Sequence, residues 1–332
     1  MTIKKQTVEV AIAVLVFADE LLLARRHSHQ HQGGKLEFVG GKIDRGETPR
    51  AALVREVNEE IGLDITNNVS SKLGRIYHDY ADKSVCLHVY QVLLSDQQYQ
   101  AYQDKTVGLD GQAIGFYKKS WVLTQTDDFP QANQSIFTWL KLPPVLVISH
   151  ALSAFQDVEK WAAYYAQRLP CNAVLSIRLQ TDQSTAWQAI LALSLLRDDL
   201  VFILPWHMHQ DTPKDFSAKV LALHLTHQAL LALDLSIADL PTLPLIASCH
   251  DVESIKKANL CAKSLPMLGI FLSPVLPTQS HPQAPVLGWD KFAQLAKLSD
   301  VPVVALGGLS VQALPQALAH GAVAVSGIRQ FC

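Results

Sequence analysis

The chain is short of charge and shows almost no bias in its sign: 17% of its 332 residues are charged, 30 acidic against 28 basic, for a net charge of −2. A protein that coats a nucleic-acid polymer needs a clustered basic excess, so that class is excluded. Long apolar runs are missing too. No stretch approaches the ~18 to 20 continuous apolar residues of a membrane span. The opening MTIKKQTVEV has two lysines but no apolar run of signal-peptide length. Cysteine is scarce. The five present (Cys86, Cys171, Cys249, Cys261, Cys332) are scattered, odd in number and without a C-x-x-C pair, which indicates neither a disulfide framework nor a zinc knuckle. A reducing, cytoplasmic setting with free thiols is the expectation. There is no internal repeat and no low-complexity tract.

What is present is apolar content, 49% of residues, over a length that suits two domains with separate cores. Composition shifts at Lys141-Leu142-Pro143-Pro144. A Pro-Pro step lacks amide donors and fixes backbone angles, so it ends a helix over Ala132–Leu140 and reads as a linker. The expected domains are residues 1–142 and 143–332. In the first, Val8–Phe17 and Leu21–Ala24 read as strands around the turn Ala18-Asp19-Glu20, and Ser84–Leu94 as a third. One strong helix is expected over Pro49–Ile61, with Thr48 as N-cap, proline at its first position and Gly62 closing it.

The second half alternates. Short apolar runs stand at Val145–Ile148, Ala173–Ile177, Leu200–Leu204, Val220–Leu223, Leu243–Ala247, Leu268–Leu272, Val301–Ala305 and Val323–Val325. Helical patterns separate most of them, as at Val158–Arg168, Ala186–Leu196, Val252–Ala262 and Trp289–Leu298. Eight β/α units in roughly 190 residues describe a compact (β/α)8 barrel, with an open doubly wound sheet as the alternative. The fold class is therefore α/β throughout.

The chemistry is densest between residues 37 and 63. Gly41-x5-Glu47-x7-Arg55-Glu56-Val57-x-Glu59-Glu60-x-Gly62-Leu63 follows the pattern G-x5-E-x7-R-E-U-x-E-E-x-G-U, with U a bulky aliphatic, at all nine specified positions over 23 residues. On a helix Glu56, Glu59 and Glu60 share one face. Three carboxylates there repel one another unless a cation sits among them. Oxygen-rich clusters of this type suit Mg2+ or Mn2+, which also bridge to substrate phosphates. Leu53, Val57 and Ile61 form the neighbouring apolar stripe. Gly40 and Gly41 let backbone approach a phosphate chain closely, and Glu47 and Arg55 are placed to brace the loop as an ion pair. A solvated acidic helix face would explain Glu59 and Glu60 alone, but not the whole box in register. His27, His29 and His31 alternate in a polar loop, which reads as a solvated segment more readily than as a metal site.

The box resembles that of the Nudix hydrolases, and more narrowly the MutT-type enzymes that cleave oxidised guanine nucleoside triphosphates. The narrower likeness rests on Lys35-Leu36-Glu37-Phe38, Gly40-Gly41-Lys42-Ile43-Asp44, Gly46-Glu47-Thr48-Pro49, the upstream Arg25-Arg26, and Asp128-Phe129-Pro130-Gln131-Ala132-Asn133. It implies an α/β/α sandwich around a mixed sheet. It implies that Glu56, Glu59 and Glu60 hold the metal and that Glu56 is also the base for the attacking water, with Arg55 and Lys42 completing the catalytic set. Arg26, Glu37, Phe38, Gly40, Gly41 and Asn133 would bind substrate, Phe38 and Asn133 at the base, Arg26 and Lys42 near phosphates. Two positions depart from the pattern. Val39 replaces the proline common before the double glycine, and a later loop glutamate has no clear counterpart at Gly111-Gln112, with Gly115 nearby.

Residues 145–332 resemble the thiamine phosphate synthase and thiazole tautomerase superfamily. The likeness rests on Ser248-Cys249-His250, Ser273-Pro274-Val275-Leu276-Pro277-Thr278, Ala305-Leu306-Gly307-Gly308-Leu309 and Gly321-Ala322-Val323-Ala324-Val325-Ser326-Gly327-Ile328. It implies a barrel phosphate site involving Arg178, Ser248, His250, Thr278, Gly307, Gly308, Ser326 and Gly327, where strand ends present amides. The synthase pattern is eroded. Of its Q-x-R-x-K stretch only Arg178 remains, Pro205-Trp206 and Ala229 stand where metal ligands belong, and Ser280-His281 replace a threonine-lysine pair. A site without those groups is poorly equipped to neutralise departing pyrophosphate. The histidine matching His250 handles protons in the tautomerases; here it serves equally well as a hydrogen-bonded structural residue.

The expected function is a Mg2+-dependent (or Mn2+-dependent) hydrolase converting 8-oxo-dGTP to the monophosphate and pyrophosphate. A synthase-inactive barrel binding a phosphate ester accompanies it, and no nucleic-acid polymer or membrane is a partner. The alternatives are a thiamine-pathway enzyme acting on thiamine or pyrimidine diphosphates, and a barrel that senses a ligand and regulates the hydrolase.

Overall fold

The computed structural model describes residues 7–29, 32–81, 83–236, 240, 242–278, 283 and 285–331. The chain divides into two compact units, Met1–Leu140 and Lys141–Cys332. The division falls ahead of the Pro-Pro step.

The first unit is built on a seven-stranded mixed sheet: β1 (Thr7–Phe17), β2 (Glu20–Arg25), β3 (Leu36–Glu37), β4 (Val39–Lys42), β5 (Ser70–Asp79), β6 (Ser84–Leu93) and β7 (Ile114–Lys118). Its central path runs β3-β2-β1-β6-β5, and only β1 and β6 pair in parallel. On the other edge of β1, β2 takes the C-terminal end, while β4 takes Val10–Ala13, with Gly41 opposite Ala11 and Gly40 opposite Ile12. This pairing depends on glycine: a side chain at Gly40 (φ 152) would meet the Ala11 carbonyl oxygen at 2.1 Å.

Helix α1 (Pro49–Ile61) forms as its signals direct. The Thr48 hydroxyl accepts the Ala51 amide at 3.2 Å, and Gly62, at φ 73, closes the end. Ala52, Leu53, Val57 and Ile61 bury against Ala11, Ala13, Leu15 and Leu22 on one sheet face. The alternate residues of β1 and β6, Val14 and Val89 among them, are buried on the opposite face. The segment ending in the helix Gln134–Leu140 packs against the sheet through β5. Expected to start at Ala132, that helix begins two residues later, because Gln131–Asn133 close as a 3-10 turn behind Pro130.

The second unit is a closed barrel of eight parallel strands: β8 (Val145–Ile148), β9 (Val174–Ser176), β10 (Val201–Pro205), β11 (Val220–Leu225), β12 (Leu245–Cys249), β13 (Met267–Leu272), β14 (Val303–Leu306) and β15 (Ala324–Gly327). β15 returns to β8, which excludes the open sheet. Every residue of β13 is buried, the signature of strands covered on both sides. The expected helices appear at Val158–Arg168, Gln183–Leu196, Val252–Cys261 and Gly288–Ala296. After β10 the connection is two 3-10 turns, each opening behind a proline, Pro205 and Pro213. Among the described residues no helix is long and apolar enough to cross a membrane.

Candidate active site

Glu56 and Glu59, on α1, are held by one guanidinium. Arg55 donates to both oxygens of Glu47 (3.1 and 2.9 Å), to Glu56 Oε1 (2.8 Å), to Glu59 Oε2 (2.9 Å) and to the Lys42 carbonyl (2.9 Å). The brace between Glu47 and Arg55 thus extends to two of the three clustered carboxylates. These partners hold Arg55 charged well above its ordinary range and keep Glu47 below the usual carboxylate range. The Glu56 carboxylate lies directly over Gly41, where any side chain would come within 2.2 Å of it.

Among the described residues Glu60 has no such cation. Burial, reinforced by Glu37, Glu56 and Asp110, pushes its carboxyl up to about 8, opposed by the Gly40 amide at 3.4 Å. A buried acid beside two other acids is the fit expected of a divalent-cation centre: an all-oxygen donor set, with one member kept protonated until a cation arrives. Glu37 is also raised by burial and is restrained by an ion pair with Arg26.

A cleft of about 210 Å³ opens beside these groups, lined by Arg26, Glu37, Phe38, Gly40, Gly41, Lys42 and Asn133. The structure therefore brings the expected substrate-binding residues to one place. Val10, Ile12, Val85 and Leu87 form its sheet floor, and Tyr80 and Lys83 join from the turn between β5 and β6. Phe38 is buried with its ring centroid 5.3 Å from that of Phe129. Lys35 Nζ donates to the Asp127 and Phe129 carbonyls at 3.2 Å, anchoring the segment that carries the buried Asn133.

Sequence reasoning missed Asp110, Lys83 and Tyr80. Asp110 belongs to a loop fastened to the end of α1. Leu109 N–H donates to the Glu60 carbonyl at 2.7 Å, and Gln112 Nε2 donates to the same oxygen at 3.1 Å. Asp110 immediately precedes Gly111-Gln112, and its charge acts on Glu60. Gly115, considered for the same place, lies inside β7 opposite Leu23. His27 Nε2 contacts the Asp110 carbonyl at 3.1 Å and His27 stacks on His29, while His31 lies outside the described residues.

In the barrel, Arg178 follows β9, and its amide donates to Ser149 Oγ at 2.8 Å. Its guanidinium lies 5.8 Å from the Phe271 ring centroid, and Nε and Nη2 are buried without a partner among the described residues. Burial lowers it to about 10. His224 on β11 is buried and bonds Ser248 Oγ at 2.8 Å; burial and the Arg178 charge push it down to about 3. His250 Nδ1 lies 2.8 Å from the Ser273 carbonyl oxygen, and its ring stands 5.0 Å from that of His227, whose Nδ1 is buried and unpartnered among the described residues. Four of the expected residues make close contacts within the barrel. The fully buried Ser326 hydroxyl donates to the Leu146 carbonyl on the neighbouring strand at 3.0 Å. Gly307 (φ 102) and Gly308 (φ 67) pack against Pro274–Pro277, where a Cβ would come within 2.8 and 2.5 Å. Gly327 is closed over by Phe331 at a similar approach, 2.4 Å. Thr278 is described, and Ser280-His281 are not.

The family model described as "NUDIX domain" matches residues 7–115. The 8-oxo-dGTP diphosphatase of Escherichia coli K12 is 34% identical over 123 residues, which cover 37% of this chain and 87% of that enzyme. This chain is a Nudix hydrolase. Its Nudix domain is also 34% identical over 85 residues to the CTP pyrophosphohydrolase of Escherichia coli K12, covering 26% of this chain and 62% of that protein. The family model "Thiamine monophosphate synthase" matches residues 212–331, so the chain is a fusion of the two domain types. A putative thiamine-phosphate synthase 2 of Aquifex aeolicus is 32% identical over 84 residues, 25% of this chain and 43% of that protein. The chain thus spans less than half of that synthase. As Nudix hydrolases act on nucleotides with divalent cations, the carboxylates of α1 and the adjoining cleft are the place to look for both.

Proposed function

We propose that the Nudix domain hydrolyses a nucleoside triphosphate to the monophosphate and pyrophosphate, with oxidised guanine as the preferred base and Mg2+ (or Mn2+) as cofactor. The observation that carries this reading is one cleft lined by Asn133 and Phe38 together with Arg26, Lys42 and the glycines, which themselves lie against the α1 carboxylates Glu56 and Glu60. Its 210 Å³ is below the ~300 Å³ and above usual for whole-ligand sites, which suits a base held inside and phosphates lying outward.

Glu56, Glu59 and Glu60 would hold the cation. When bound, it neutralises phosphate charge and polarises the phosphoryl oxygens. Arg55 fixes Glu56 through Oε1, and Gly41 leaves room for the rest of that carboxylate. Glu56 accepts a proton from the attacking water, whose oxygen bonds to phosphorus as the phosphoanhydride bond breaks and pyrophosphate departs. Lys42 and Arg26 bring positive charge to the phosphates. Asn133 offers one donor and one acceptor to a purine edge.

For the barrel we infer phosphate-ester binding without thiamine phosphate synthesis. A buried guanidinium with two nitrogens unpartnered among the described residues is costly unless an anion meets it. Pro205, Trp206 and Ala229 offer no ligand for a cation that would escort pyrophosphate away. The test is turnover by the full chain on dGTP, 8-oxo-dGTP, CTP, thiamine diphosphate and the synthase substrates with Mg2+. Preference for 8-oxo-dGTP, and a fall of at least ~100-fold in kcat for Glu56→Gln, are expected. Wild-type turnover in that variant, or equal use of dGTP and 8-oxo-dGTP, would overturn the respective assignments. Thiamine phosphate formed at an enzymatic rate would overturn the barrel reading.

A further inference from the structure

Strand alternation gives the β1–β6 pair two chemically different faces. Val10, Ile12, Val85 and Leu87 floor the cleft, so Glu9, Ala11, Cys86 and His88 point to the other side. There Glu9 is the direct ladder partner of Cys86, and His88 lies two residues further along the same face. Their ligand atoms converge: His88 Nε2 is 2.5 Å from Glu9 Oε2 and 3.7 Å from Cys86 Sγ, and all three donors lie within 4.8 Å of one another. Among the described residues no other group of three or more His, Cys, Asp or Glu converges in this way.

We propose that Glu9, Cys86 and His88 form a second metal site, selective for Zn2+, on the sheet face opposite the substrate cleft. The donor set decides the metal. Thiolate and imidazole favour a borderline-soft ion over Mg2+, which prefers oxygen. With Zn–S near 2.3 Å and Zn–N and Zn–O near 2.0 to 2.2 Å, tetrahedral angles place S and N about 3.6 Å apart and N and O about 3.4 Å apart. The Cys86–His88 spacing of 3.7 Å already has the first value. The second requires Glu9 to withdraw by about 1 Å, and its side chain is 47% exposed and free to do so. Cys86 is buried and His88 nearly so, which leaves a solvent path on the Glu9 side for entry and for a fourth, water ligand.

Without metal the arrangement is unfavourable for the thiolate and keeps Cys86 protonated. Burial and the Glu9 carboxylate push Cys86 up to about 12, against a weaker opposing influence from Tyr77 and Arg75 on the neighbouring strand. On binding, the S–H bond gives way to an S–Zn bond and the thiol proton passes to solvent, with no change of oxidation state.

The experiment uses the full chain stripped with EDTA and titrated with Co2+ in excess Mg2+, which occupies the α1 carboxylates. One equivalent of Co2+ is expected to give a thiolate charge-transfer band and tetrahedral visible absorption, and Zn2+ is expected to displace it. Cys86→Ser should abolish the band, Glu60→Gln should leave it intact, and Glu9→Gln should weaken binding at least ~10-fold. If Cys86→Ser fails to fold, as judged by melting in EDTA, Glu9→Gln and His88→Gln decide the matter. No thiolate band at one equivalent, or an equal band in a folded Cys86→Ser variant, overturns the proposal.

Discussion

Glu60→Gln separates the stability of the metal-free protein from its activity. Glutamine keeps the shape and the acceptor for the Gly40 amide, and removes only the charge. In the metal-free protein the carboxyl moves from its ordinary 4.5 to about 8. Between these values the folded state binds more protons than the unfolded chain, so stability falls as pH rises through that window and is flat outside it. The full span corresponds to ~5 kcal/mol at 1.36 kcal/mol per pH step. Hydrogen exchange of the α1 amides in EDTA reads this for the Nudix domain alone. After correction for intrinsic exchange, protection in the wild type is expected to drop by as much as ~10³-fold from pH 5 to 9, while Glu60→Gln stays level. Magnesium should restore wild-type protection at pH 9. Its apparent affinity should rise with pH up to about 8, where Glu60 no longer has a proton to lose. The variant should gain nothing from Mg2+ and lose turnover. Parallel pH profiles in the two proteins, or Mg2+-dependent turnover in the variant, would refute the reasoning.

Gly41→Ala places a methyl 2.2 Å from the Glu56 carboxyl and should lower kcat at least ~100-fold while leaving the fold intact by circular dichroism. Asn133→Ala should raise KM more than it lowers kcat and reduce the preference for oxidised guanine, measured by competing 8-oxo-dGTP against dGTP. Arg178→Met should remove calorimetric binding of inorganic phosphate by the Mg2+-free full chain, raise the melting temperature and leave nucleotide hydrolysis unchanged. Relieving a buried, unpartnered guanidinium is the reason for the stabilisation.

The fold was legible where local signals agreed with tertiary packing. Helix α1 carried its cap, its proline and its apolar stripe in the open, and the eight barrel strands stood out as uninterrupted apolar runs. β5 escaped notice because Ser70–Asp79 is mostly polar and buries only scattered residues. The carboxylates of α1 were legible because they share one helix and one spacing. Asp110 was not, since its influence on Glu60 depends on two hydrogen bonds made by its loop to the last turn of α1. The Glu9–Cys86–His88 group was hidden for a related reason: Glu9 is 77 positions from Cys86, and only the β1–β6 register makes them neighbours.

That register has a bearing on how the gene can vary. β1 presents Val10 and Ile12 to the cleft and Glu9, Ala11, Ala13 and Leu15 to the other side, where the last three meet α1. Because side chains alternate with a period of two, one codon inserted or deleted between Glu9 and Leu15 would exchange the faces of everything beyond it. The cleft floor, the seat of α1 and the thiol cluster would be scrambled by the same event. Substitutions along this strand are absorbed one residue at a time, but changes in its length reach all three places at once.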